Sequence, residues 1–102
     1  MEYSKALENF LELLTKRNGA YYSEQYPHLP KPTYSVNSGK KYDRIVSDGW
    51  AFCFINKSNG DILKAASWKA PAKHARGNIF NENPLLGTTV YGATYLWITL
   101  LI

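Results

Sequence analysis

The chain has 102 residues, with 12 lysines and arginines against 8 aspartates and glutamates, a formal charge of +4. That length fits one small domain, and 45% apolar residues with 15% aromatics supply a core and argue against general disorder. The lone cysteine, Cys53, excludes an intrachain disulfide, and with only His28 and His74 beside it there is no paired ligand spacing for a structural zinc site.

Tyr3, Leu7, Phe10, Leu11 and Leu14 recur at helical spacing, with charged residues on the remaining surface. A helix is expected over residues 4–17, with Ser4 as N-cap, Lys16 and Arg17 at the negative end of the dipole and Asn18-Gly19 as the stop. Residues 19–41 contain Pro27, Pro30 and Pro32 among four tyrosines, which suggests an ordered Tyr/Pro-rich arm rather than a regular element. Whether it packs on its own core or on another subunit stays open.

From Tyr42 the pattern becomes that of strands: Tyr42 to Val46, Trp50 to Ile55 and Asp61 to Ala65, linked by Ser47-Asp48-Gly49 and by a turn ending in Asn59-Gly60. Residues 42–65 therefore read as a three-stranded antiparallel meander. Trp50, Phe52 and Phe54 alternate with Ala51, Cys53 and Ile55, so the middle strand is expected to be buried on both sides. Pro71 and Gly77 bracket a segment that suits a single basic helical turn, Ala72 to Arg76, on a sheet edge. Residues 84–102 have no charge and call for burial as a last strand or at a subunit interface. No secretory signal pattern follows Met1, and the most apolar run, residues 96–102, is far below the roughly 20 residues that span a bilayer, so an intracellular location is expected.

Catalytic signals are weak. Cys53 lies in the most apolar strand, and Asp43, Asp48, Asp61 and Glu82 are scattered, with Asp48 and Asp61 explained as turn residues. There is no Walker-type or G-x-G-x-x-G phosphate loop. No catalytic residue, metal site or cofactor is assigned, and the chain is read as a non-enzyme.

The informative segment is 66–78. The charge excess is local: Lys64, Lys69, Lys73 and Arg76 fall within residues 64–76, which hold no acid, while the other residues carry 8 bases against 8 acids. Lys69, Lys73, Arg76 and Ser67 offer charges and donors for phosphate, Trp68 offers a flat partner for a base, and His74 and Asn78 offer polar contacts to base edges or ribose. This composition fits an anionic aromatic ligand, a nucleotide or a nucleic acid. The bland alternative is a solvated loop anchored by a core tryptophan. Four cations match three or four phosphates, which suits a dinucleotide better than a duplex.

The stretch from Phe54 to Ile79, and above all Ala66-Ser67-Trp68-Lys69-Ala70-Pro71-Ala72-Lys73 followed by Arg76-Gly77-Asn78, resembles a recurring small bacteriophage protein. It covers about a quarter of the chain. It resembles the phage anti-CBASS sponge proteins, small oligomers that sequester cyclic dinucleotide signals of bacterial defence. The resemblance implies a non-catalytic homo-oligomer, dimer or tetramer, acting in the host cytoplasm on a ligand such as cyclic GMP-AMP. The expected fold is α+β, residues 1–102 as one domain, with the amino-terminal helix packed on a small twisted antiparallel sheet. The alternative is a single-stranded nucleic-acid-binding or virion-associated accessory protein, and a third class is a structural phage protein whose tail makes the interface.

Overall fold

A computed structural model describes residues 2–93. One helix, α1 (Tyr3–Gln25), lies on a five-stranded sheet of β1 (Ser35–Ser38), β2 (Tyr42–Ser47), β3 (Trp50–Asn56), β4 (Asp61–Ala65) and β5 (Pro71–Asn78). The strands follow one another in the order β1-β2-β3-β4-β5, every neighbouring pair antiparallel, which makes an α+β fold around a meander. A small hairpin of β6 (Thr88–Thr89) and β7 (Gly92–Ala93) completes the described chain. Part of the 84–102 tail is thus strand, while residues 94–102 lie outside the described residues, and with them the expectation of a tail interface.

The helix is longer than its expected span of 4–17 at both ends. Glu2 occupies the N-cap without a side-chain cap bond, and Ser4 sits in the first turn with its hydroxyl on Glu2 Oε1 at 2.8 Å. Asn18-Gly19 does not stop the helix, because tertiary contacts use both residues. Asn18 is fully buried, donating Nδ2 to the Tyr34 hydroxyl at 2.6 Å and accepting from Arg17 Nε at 2.8 Å. Gly19 is buried, with the aliphatic stem of Lys31 beside it. Arg17 is likewise half-buried inside the helix, with Nη1 on the Thr88 carbonyl at 3.2 Å, rather than at a dipole end. The helix stops at Tyr26, where Pro27 follows and cannot continue it.

The supposed arm of residues 19–41 is therefore a helix end, a short loop and the edge strand β1. It covers its own core: Pro32 is buried, and the Tyr34 ring meets Phe52 edge-on at 5.2 Å.

The strands of the meander fall within one residue of their expected bounds. Asp48 and Gly49, both at positive φ, close the β2-β3 hairpin. The register gives the sheet two distinct faces. Ile45, Cys53, Ile55 and Ile62 meet the helical stripe of Ala6, Phe10 and Leu14, all wholly buried. Tyr3 Oη donates to the buried carboxylate of Asp43 at 2.7 Å, which fastens the helix start to β2; burial, reinforced by that bond, pushes the phenol well above its usual range. On the opposite face a cross-strand row runs Asn37, Arg44, Phe54, Leu63, Ala75.

One irregularity changes the expected alternation of β3. Ile45 pairs with Cys53 but Val46 pairs with Ala51, so Phe52 is an extra residue and joins Cys53 in the helix-side core. Phe52 to Ile55 is buried on both faces as expected, whereas Trp50 is not: at the hairpin end it is 78% exposed.

The basic helical turn expected over 72–76 is absent, since Pro71–Asn78 is a strand. A single turn would carry the nucleation cost of a helix with no neighbour to repay it, whereas β4 offers an open edge of backbone partners. Proline is tolerated as the first residue of an edge strand, and two irregularities in the β4-β5 register absorb the extra length. Downstream, Gly87 has φ +93° and an added Cβ would lie 1.9 Å from the Arg76 carbonyl oxygen, so the chain can cross β5 there only as glycine.

Phe10→Ala is expected to lower unfolding free energy by about 3–5 kcal/mol in urea titrations, with Lys16→Ala within about 0.5 kcal/mol of wild type. Equal, small effects at both positions would contradict the helix-sheet core.

Candidate functional site

The face of the sheet turned away from the helix is built around Arg44. Alternation along β2 puts Tyr42 and Arg44 on that face, opposite to Asp43 and Ile45, and pairing sets Arg44 directly across from Phe54. The guanidinium lies 5.5 Å from the Phe54 ring centroid and 4.5 Å from that of Trp68, and its Nε donates to the Trp68 carbonyl at 2.7 Å. Phe54, only 3% exposed, is closed over by Arg44 and by the Tyr42 ring at 6.3 Å, edge-on. Arg44 thus fixes the loop of residues 66–70 against the sheet by stacking and by a charge-assisted hydrogen bond.

That loop has its own local order. Ala66 and Ser67 both donate their backbone N–H to the Ala70 carbonyl, at 3.0 and 3.1 Å, and the Ser67 hydroxyl accepts from the N–H groups of Lys69 and Ala70 at 3.3 and 3.2 Å. Ser67 is a turn-former here, as serine commonly is.

The two partners of the Arg44-Trp68 stack each line a concavity. Arg44 lines a pocket of about 200 Å³ whose lining includes Asn37, Lys40, Lys41, Tyr42 and Lys69. Four of its lining residues are cationic and none is a carboxylate. Lys57 braces its rim, donating Nζ to the Gly39 carbonyl at 2.9 Å and to Ser38 Oγ at 3.2 Å. Trp68 lines a groove of about 360 Å³ together with Gly49, Trp50, Ala51, Ala65 and Ser67. Among the described residues its side chains are two tryptophans and three small residues.

Of the residues singled out in the sequence, the structure brings Ser67, Trp68 and Lys69 to these concavities. Lys73, His74, Arg76 and Asn78 line neither of them. Lys73 and His74 are exposed on the edge strand β5, and Arg76 turns its Nη1 back to the His74 carbonyl at 2.6 Å. Asn78 is a brace: Nδ2 donates to the Asn59 carbonyl and to Asp61 Oδ1, each at 2.9 Å, and Oδ1 accepts from the Phe80 N–H at 2.8 Å.

Sequence reasoning missed Lys40, Lys41, Arg44 and Trp50. The charge tally concealed the first three, because acids elsewhere cancel them in sum though not in space: the nearest in sequence, Asp43, is buried on the helix side. The alternation of Tyr42, Asp43 and Arg44 was the available signal. Cys53 is wholly buried, and burial pushes its thiol far above the ordinary range, against any role as a thiolate nucleophile. Among the described residues no group of three or more His, Cys, Asp or Glu is placed to hold a metal, and no helix is long and apolar enough to cross a membrane.

These features define a small α+β domain with a cationic, aromatic outer sheet face. The chain belongs to the Family of unknown function (DUF7717), whose model matches residues 1–91. The match takes in the helix, the whole sheet and both concavities. No curated protein and no solved structure matches the chain.

Arg44→Ala is expected to speed amide hydrogen exchange several-fold at Ala66 and Ser67 while leaving Cys53 and Ile55 unchanged, the loss of a cation–π contact being worth about 0.5–1 kcal/mol at an exposed site. Unaltered loop exchange would contradict the anchoring role of Arg44.

Proposed function

We propose that the protein is a non-catalytic nucleotide binder that sequesters cyclic dinucleotide immune signals during phage infection, with the outer sheet face as its site. The observation that carries this reading is a cationic pocket and an aromatic groove linked by the contact of Arg44, which lines the first, with Trp68, which lines the second. Phosphates require concentrated positive charge with donors, and Lys40, Lys41, Arg44 and Lys69 converge without a competing carboxylate in the lining. The resemblance of the Ala66 to Asn78 segment to phage sponge proteins supplies the biological setting, and assembly into a homo-oligomer in the host cytoplasm belongs to the same proposal. A sponge holds its ligand without altering it, so its site needs affinity and no acid, base or nucleophile.

A single-stranded nucleic acid is the second reading, and the exposure of Trp50 on an open face favours it, because sequence-tolerant single-strand binders stack bases on such rings. The two readings differ in salt dependence. An oligonucleotide spanning several phosphates loses affinity steeply and linearly in log salt, while one dinucleotide gives a shallow slope.

In a thermal-shift panel, cyclic dinucleotides at about 100 times their Kd are expected to stabilise the protein by about 2.7 kcal/mol, a rise of roughly 10 °C or more in Tm, with the ligand recovered chemically intact after denaturation. A flat response to cyclic and linear dinucleotides and to oligonucleotides would overturn both readings. Recovery of linearised nucleotide would overturn the sponge in favour of an enzyme.

A further inference from the structure

We infer that the Trp50-Trp68 groove is the nucleobase site of this face, that it accepts purines and pyrimidines alike, and that Trp50 is its principal ring-binding residue; this rests on the nucleotide reading above. A tryptophan that is 78% exposed at a hairpin tip contributes little to the core, yet Trp50 lines a groove together with a second tryptophan, Trp68, and small residues. Gly49, Ala51 and Ala65 add little side-chain bulk to that lining, which leaves room for a planar ring against an indole.

The occupant follows from what adjoins the groove. Trp68 lines it, and the Arg44 guanidinium that stacks on the Trp68 ring lines the cationic pocket. A ligand bridging the two concavities must therefore carry a flat apolar ring and an anionic group joined by a short linker, which is the constitution of a nucleotide. An apolar peptide side chain would satisfy the groove and leave four cations unmatched.

The lining also sets the selectivity. Among the described lining residues Ser67 supplies the only side-chain hydroxyl, and it already accepts from the Lys69 and Ala70 N–H groups. The indole N–H groups of Trp50 and Trp68 are donors only, and the described lining has no Asn, Gln, Asp, Glu or Arg side chain to read a base edge. Stacking tolerates every base because each has a π-face, whereas discrimination needs hydrogen bonds to its edge. Affinity is thus expected to depend on having a base and a phosphate, and only weakly on which base.

The test is a titration of the full-length protein with adenosine 5′-monophosphate, uridine 5′-monophosphate, ribose 5-phosphate and cyclic di-adenosine monophosphate, followed by calorimetry for wild type, Trp50→Ala, Trp50→Phe and Lys40→Glu/Lys41→Glu. In the wild type the adenosine and uridine nucleotides are expected within about tenfold of each other, with ribose 5-phosphate weaker. Trp50→Ala is expected to weaken the base-bearing ligands roughly tenfold or more while leaving ribose 5-phosphate unchanged, and Trp50→Phe is expected to restore part of the loss. The lysine double variant is expected to weaken all four ligands.

If Trp50→Ala binds every nucleotide as the wild type does while the lysine variant fails, the base site is overturned and the nucleotide reading stands. A preference of a hundredfold or more between bases overturns the tolerance. If the wild type binds none of the ligands, both the inference and the reading beneath it fall.

Discussion

The outer face of this sheet is organised by one guanidinium. Arg44 contacts the rings of Phe54 and Trp68 and is bonded to the Trp68 carbonyl, so one cation covers a buried phenylalanine, fastens the 66–70 loop and lines the cationic pocket. Arginine suits this position because its charge is delocalised over a plane that stacks, while its edge N–H groups remain free to be directed at acceptors. A lysine would keep the charge and lose the plane. The proposed site is thus made of the contacts that finish the sheet.

The two faces of the sheet divide the work of the protein. The helix-side face carries the apolar side chains that stabilise a short chain, with Tyr3 and Asp43 fixing the start of the helix and Asn18 and Tyr34 its middle. The extra residue at Phe52 sends one more ring into that core. With the apolar side chains gathered there, the opposite face carries the cations Lys40, Lys41 and Lys69 around Arg44.

The meander was legible because each strand pairs with its sequence neighbour and each short turn carries its own signal, Asp48-Gly49 and Asn59-Gly60. The helix was legible in type and face but not in length: Asn18 and Gly19 read as a stop only so long as their burial is unknown, and tertiary contact outweighs the local preference. The strand β5 was misread because Pro71 and Gly77 punctuate a helical turn and an edge strand equally well, and the free edge of β4 decides between them. Within the candidate site, Ser67, Trp68 and Lys69 could be found from a contiguous basic and aromatic segment. Lys40, Lys41, Arg44 and Trp50 were hidden, because the sum of charges conceals a segregation that is spatial and only the alternation of Tyr42, Asp43 and Arg44 hinted at it.

The central claim, that nucleotides bind across the Arg44-Trp68 contact, is tested most directly by amide and indole chemical-shift mapping while a cyclic dinucleotide is titrated into the labelled protein. The account predicts concerted shifts at residues 40–44, 49–51 and 65–69 and at the indole N–H groups of Trp50 and Trp68. Shifts centred on Lys73 and His74 along β5, with those indoles unmoved, would contradict it.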